Sequence, residues 1–161
     1  MKFTDFIVYS AIQADLAATD KPGAIREMFT AIAGAGGFPT AALPASIAFA
    51  LKREELGTSG IGSGVALPMT ACAEIDHSVA SIFLSQRGLD FESLDGEPVH
   101  LFFAIVKQPR HPESYLRMME YISRAMKLEA KWSRLQQCRS RYDIIDWLDA
   151  VDTVLAGSGN G

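Results

Sequence analysis

The chain has little with which to hold a metal or build a disulfide frame. Its 161 residues include two cysteines, Cys72 and Cys138, and three histidines, His77, His100 and His111. The cysteines lie far apart, lack metal-ligand spacing and read as free thiols. No pair of histidines has that spacing either, so no metal site and no cofactor is expected. No apolar run approaches the roughly 18 residues of a membrane span, and the N-terminus lacks a signal-peptide pattern. The expectation is a cytoplasmic protein with no membrane insertion. Fifteen Lys and Arg against nineteen Asp and Glu leave a formal charge of −4, which argues against nucleic acid as a partner because phosphate contacts require a basic face. No catalytic triad, internal repeat, low-complexity segment or linker stands out.

What is present suffices for one core. Hydrophobic residues make up 48% of the chain, and helical and strand periodicities alternate along it. Phe3, Phe6 and Ile7 open a short helical or irregular lead-in, and Ile12, Ala14 and Leu16 alternate with polar neighbours as a brief strand. Asp20 before Pro22 predicts a helix N-cap, and Ile25, Met28, Phe29 and Ile32 form that helix's buried stripe before Gly34, Gly36 and Gly37 end it. A second helix starts at Pro44, turns Ile47, Ala48 and Leu51 inward, and carries Arg53 in its last turn. Val65 to Pro68 reads as a short strand that Pro68 stops, and Val79 to Leu84 as another. After a polar connection that turns at Asp95-Gly96, the run Val99 to Val106 predicts a central strand buried on both faces. A long helix follows Pro112, with Tyr115, Met118, Met119, Ile122 and Met126 as its stripe. A shorter helix around Trp132 and Leu135 precedes a last one, capped by Ser140 and lined by Ile144, Leu148, Val151 and Leu155. The whole predicts one α/β domain over residues 1–156, a sheet between helical layers, with a disordered Gly-rich tail at 157–161.

One stretch organises the rest. Lys52-Arg53-Glu54-Glu55-Leu56 reads as a charged helix end, Gly57-Thr58-Ser59-Gly60-Ile61-Gly62-Ser63-Gly64 as a Gly-rich turn, and Val65-Ala66-Leu67-Pro68 as a short strand stopped by proline just before Met69. Exposed amides beside an arginine make such a turn a candidate anion cradle, with Arg53, Thr58, Ser59, Gly60 and Gly62 as its residues. Neither Gly-x-Gly-x-x-Gly before a helix nor Gly-x-x-x-x-Gly-Lys is present, so both nucleotide fingerprints are excluded. Thr58 and Ser59 are also placed to orient the loop through hydroxyl-to-backbone bonds. Glu54, Glu55 and Asp76 read as solvated charge, with Glu54 or Asp76 a candidate partner for Arg53.

The stretch resembles the signature of the fructose/mannitol-type enzyme IIA domains of the bacterial phosphotransferase system, above all the nitrogen-regulatory (PtsN-like) branch. There a helix ending in Arg-Glu runs into Gly-Ser-Thr-Gly-Ile-Gly-x-Gly-Ile-Ala-Ile-Pro-His, and the last histidine carries a phosphoryl group. This chain matches from Arg53-Glu54 to Pro68 and has Met69 at the histidine position. The resemblance runs from about residue 5 to 155, including Gly96-Glu97-Pro98-Val99. It implies a small mixed sheet flanked by helices on both faces, and a phosphodonor partner resembling HPr. For the nitrogen-regulatory branch it also implies regulatory targets such as kinases and potassium transporters. Arg53 matches the arginine beside the phosphohistidine, and Tyr115-Leu116 stands where the family usually has a second histidine followed by leucine.

A thioether lacks the basic lone pair that takes up a phosphoryl group, so Met69 cannot replace histidine in that step. Whether this chain is an enzyme is therefore left open, and three readings follow. One is a regulatory interaction module with the enzyme IIA fold and no phosphorylation input. The second is a phosphocarrier using another acceptor, with His111 the candidate. The third is an anion or metabolite sensor using Arg53 and the Gly-rich turn.

Overall fold

The run Val99–Lys107 forms β5, the strand through the middle of a five-stranded sheet. The computed structural model describes residues 1–158, the side chains of residues 129–132 excepted. Along one edge β5 pairs antiparallel with β4 (Val79–Leu89), from Val79↔Val106 to Leu84↔Leu101. Along the other it pairs in parallel with two short strands in succession. These are β2 (Val65–Ala66), opposite Leu101 and Phe102, and β3 (Met69–Ala71), opposite Ile105 to Lys107. β1 (Gly60–Gly62) is antiparallel to β2. The sheet is mixed, as expected.

Successive side chains of a strand point to opposite faces, and β5 supplies two cores. Leu101, Phe103 and Ile105 pack with α3 (Pro112–Met126) and α5 (Arg141–Ser158). Phe102, Ala104 and Val106 pack with α1 (Lys21–Gly34) and α2 (Leu43–Leu56). None of the six is more than 1% exposed. The two anticipated caps form: the Gly23 amide donates to Asp20 Oδ1 at 2.8 Å and the Asp143 amide to Ser140 Oγ at 3.1 Å. A short α4 (Glu129–Gln136) links α3 to α5.

Four details differ from the sequence reading. The segment 12–16 is not a strand of its own. The N-terminal segment meets β4 in two isolated parallel bridges, Ile7↔Ala80 and Gln13↔Phe83, on either side of a 3-10 turn at Tyr9–Ala11 that interrupts the pairing. Pro68 does not end its ladder: its carbonyl accepts from the Ile105 amide at 2.8 Å, and pairing resumes at Met69 in unchanged register. A proline forfeits a donor but keeps its acceptor. In α2, Ala48 is exposed and the buried positions are Ser46 and Ala50. Small residues bring the helix close to β3, where the Thr70 hydroxyl donates to the Ser46 carbonyl at 2.7 Å. Lastly, α5 continues through Ser158, so the first two residues of the expected tail are helical, while 159–161 lie outside the described residues.

One polar group lies within the aromatic cluster of Phe3, Phe6, Tyr121 and Trp147. Asp152, 8% exposed, accepts from the Phe3 amide at 3.0 Å and from the Tyr121 hydroxyl. The nearby Tyr9 hydroxyl is buried without a hydrogen-bond partner. Burial first, then the charges of Asp152 and Asp149, push its pKa from 10.0 up to about 12. The unfolded tyrosine therefore ionises before the folded one, and stability falls as pH rises from 10.0 to about 12. Tyr9→Phe is expected to stabilise the protein by ~1 kcal/mol at pH 7, since it removes a desolvated hydroxyl. It should also make the alkaline loss shallower, and urea denaturation at neutral and alkaline pH measures both.

Candidate functional site at Met69

The β1–β2 hairpin turns on two residues, Ser63 (φ 57°) and Gly64 (φ 77°), the positive-φ pair that tight hairpins require. The Gly64 carbonyl accepts the amides of both His100 and Leu101, at 2.9 and 3.0 Å, which fixes the hairpin to the start of β5. Continuing along β5, the parallel ladder carries Met69 to the place opposite Ile105. There the C-terminal turn of α2 brings Arg53 and the first turn of α3 brings Tyr115.

These three side chains line two adjoining cavities. One of about 200 Å³ adds Glu54, Thr58, Ser59 and Met119. The other, about 450 Å³, adds Phe49, Thr70, Lys107 and Pro109. Met69 is half-buried between them and Arg53 is exposed. The structure thus brings together Arg53, Thr58, Ser59, Met69 and Tyr115 of the residues singled out in the sequence. Gly60 and Gly62 do not join them and face the 93–95 loop instead. A Cβ on Gly60 would lie 2.5 Å from Ser93 Oγ, which is why glycine is needed there.

The loop amides are already engaged. The Ser59 amide donates to both oxygens of Glu54 (3.0 and 3.3 Å), that of Gly60 to Thr58 Oγ1 (3.1 Å) and that of Ser63 to Asp95 Oδ2 (2.9 Å). The Ser63 amide, then that of Glu97, hold the Asp95 carboxyl below its usual range, so it is an anion at neutral pH. The Ser59, Gly60 and Ser63 amides of the expected cradle are therefore taken by the chain's own side chains, the carboxylates of Glu54 and Asp95 and the hydroxyl of Thr58. Cationic side chains are what the cavities offer a ligand.

Glu54 is not solvated charge, and its partner is not Arg53. Its side chain is 7% exposed and pairs with Lys21 Nζ at 2.8 Å. Lys21 also donates to the Phe91 carbonyl at 3.2 Å and lies 4.8 Å over the Phe91 ring. Among the described residues neither Arg53 nor Lys107 reaches a carboxylate. Lys107 Nζ instead sits 4.7 Å over the Tyr115 ring. Sequence reasoning missed Lys21 and Lys107. The first acts across a long chain separation that no local pattern reveals. The second follows from the strand alternation, had the end of β5 been placed one residue later.

The histidines lie elsewhere. His111 precedes α3, its side chain is 56% exposed, and its Nδ1 lies 3.6 Å from Glu113 Oε1. It lines neither cavity. His100 has its Nδ1 2.9 Å from the Ser85 carbonyl, which can only accept, so that nitrogen carries the proton. His77 is exposed.

Comparison with known proteins places this geometry in a family. The model for the phosphoenolpyruvate-dependent sugar phosphotransferase system, EIIA 2, matches residues 5–151. The chain is 29% identical over 153 residues to the PTS system fructose-specific EIIABC component of Bacillus subtilis, covering 94% of this chain and 24% of that protein. It is 29% identical over 127 residues to the nitrogen regulatory protein of Bradyrhizobium diazoefficiens, covering 79% and 81%. The chain thus spans about a quarter of the first relative and most of the second. Among solved structures, the nitrogen regulatory protein IIA-Ntr of Neisseria meningitidis superposes with a TM-score of 0.75 at 19% identity, over 89% of this chain and 97% of that one. The IIA mannitol domain of Escherichia coli, in a complex with phosphorylated enzyme IIB mannitol, gives 0.69 at 18% identity over 88% and 95%. At such identities the structures establish the fold. No described helix is long and apolar enough to cross a membrane.

Replacing Glu54 tests how the loop is held. Glu54→Ala leaves Lys21 buried without its counter-ion and is expected to cost about 3 kcal/mol in urea denaturation. Hydrogen exchange at the Ser59 amide should quicken at the same time. Lys21→Met combined with Glu54→Gln should recover most of the stability, since it removes both charges.

Proposed function

The chain belongs to the phosphotransferase system EIIA 2 family, and from that premise we propose that it is a regulatory interaction module of the nitrogen-regulatory kind that does not itself carry phosphate. The observation that carries this reading is Met69, set between Arg53 and Tyr115 at the position where the sequence resemblance puts the acceptor histidine. No described residue lining the two cavities is a histidine. A phosphoryl group moving between proteins needs a basic nitrogen within ~3–3.5 Å and in line with the bond that breaks. The thioether of Met69 has no such basicity, and His111 lies outside both cavities.

The surroundings suit docking. Phe49, Ile61 and Leu116 are 47%, 44% and 63% exposed, and the first two line the cavities. Apolar side chains around a cationic pit fit a protein partner better than a small metabolite. On this reading the surface receives a donor resembling HPr, and its targets are proteins such as kinases and potassium transporters. The domain over residues 1–156 would act as one unit.

The test is intact mass after incubation with phosphoenolpyruvate, enzyme I and HPr, for the natural chain and for Met69→His. A phosphoryl gain on the variant alone is the expected result, since it requires donor docking and a missing acceptor together. A gain on the natural chain overturns the proposal and directs attention to His111.

A further inference from the structure

We propose that Met69 is a redox-modifiable residue, converted by a peroxide to its sulfoxide, and that this oxidation closes the site to its protein partner. The inference rests on the docking reading above and adds how the site is regulated without a phosphorylation input.

Accessibility singles out this thioether. Of the six methionines, Met28 and Met118 are fully buried in the two cores and Met1 is exposed. Met126 is half-buried near the end of α3 and lines neither cavity. Met69 lines both cavities, and Met119 joins it in the smaller one. A water takes up about 30 Å³. Cavities of about 200 and 450 Å³ therefore admit a peroxide to the Met69 side chain. The competing sulfurs are shielded. Cys72 and Cys138 are 6% and 7% exposed. Burial, then the charge of Asp143, push the Cys138 thiol up, away from the thiolate that peroxide oxidises.

The step balances with hydrogen peroxide as the oxygen donor. The sulfur lone pair takes one oxygen, the O–O bond breaks, and the other oxygen leaves with both protons as water. Sulfur gives up two electrons and the peroxide accepts them. Two thiols of a methionine sulfoxide reductase reverse the change, becoming a disulfide while the oxygen leaves as water.

Oxidation replaces a soft apolar end with a strongly polar S=O group. Arg53 and Lys107 line the same cavity as Met69 and carry N–H donors of the kind a sulfoxide oxygen accepts from. A partner that covers the reduced surface meets an apolar thioether. On the oxidised surface it has to bury the S=O dipole, and a donor drawn onto that oxygen is withdrawn from the partner.

The test has two arms. The first is a peptide map by mass after graded hydrogen peroxide. Met69 should gain oxygen nearly as fast as Met1, with Met28 and Met118 well behind. The second removes the peroxide and titrates reduced and oxidised protein with HPr. Oxidation should weaken binding about tenfold, and methionine sulfoxide reductase should restore it. Met69→Leu, close in volume, should bind HPr without response to peroxide, while Met126→Leu should respond as the natural chain does. Oxidation of Met69 in step with Met28 and Met118 overturns the inference. So does a peroxide response that survives in Met69→Leu. If the two redox forms bind alike while Met69→His accepts phosphate, only this inference falls and docking stands. If neither form binds and Met69→His stays unphosphorylated, the docking reading falls and takes the inference with it.

Discussion

The parallel ladder between residues 65–71 and β5 is the constraint on which the site depends. Pairing begins at Val65↔Leu101 and ends at Ala71↔Lys107, and the offset does not change across Leu67 and Pro68. A slip of one residue would turn Met69 away and bring a neighbour to the cavity, because side chains alternate along a strand. The register is pinned at both ends of the gap: the Gly64 carbonyl holds two β5 amides before it, and the Pro68 carbonyl holds the Ile105 amide after it. Buried Val65, Ala66 and Thr70 resist a slip as well, since each would exchange its place in a core for the opposite face. The position of one methionine thus follows from backbone hydrogen bonds spread over seven residues.

Against that frame the Gly-rich segment takes a different part from the one its composition suggests. Glycines next to an arginine look like an anion site, and the segment does bind anions, but they are Glu54 and Asp95 of the same chain. The internal carboxylates hold the loop through the Ser59 and Ser63 amides. Glu54 has a further consequence. By drawing Lys21 from the start of α1 onto the end of α2, it fixes the helix end that carries Arg53. The arginine, the next residue back, lines both cavities.

How much of this was legible in the sequence depends on the range over which each cause acts. The cap at Asp20, the stripe of α1, the last helix and the two-faced burial of β5 follow from local periodicity, and the structure has them. The interrupted edge at Tyr9–Ala11, the resumption of pairing after Pro68 and the outward turn of Ala48 depend on what the neighbouring element offers. A proline read by itself stops a strand. A proline whose carbonyl meets a waiting amide does not. The approach of Arg53, Met69 and Tyr115 came from the family resemblance alone, because no spacing brings residues 53, 69 and 115 together. Lys21 with Glu54, and Lys107 with Tyr115, had neither a periodic nor a motif signature.

Recognising a phosphoryl group and accepting it are separate physical tasks that an acceptor histidine performs at one place. Recognition needs charge, and Arg53 and Lys107 both line the cavity beside Met69. Acceptance needs a basic lone pair, which a thioether does not have. Methionine fits the position where the sequence resemblance puts that nitrogen because it is unbranched, polarizable and tolerant of apolar and cationic neighbours alike. A carboxylate there would pair with Arg53 and fill the pit, and an alanine would open a void beside Ile105. A neutral, deformable side chain keeps the cavity shaped and its cations unanswered.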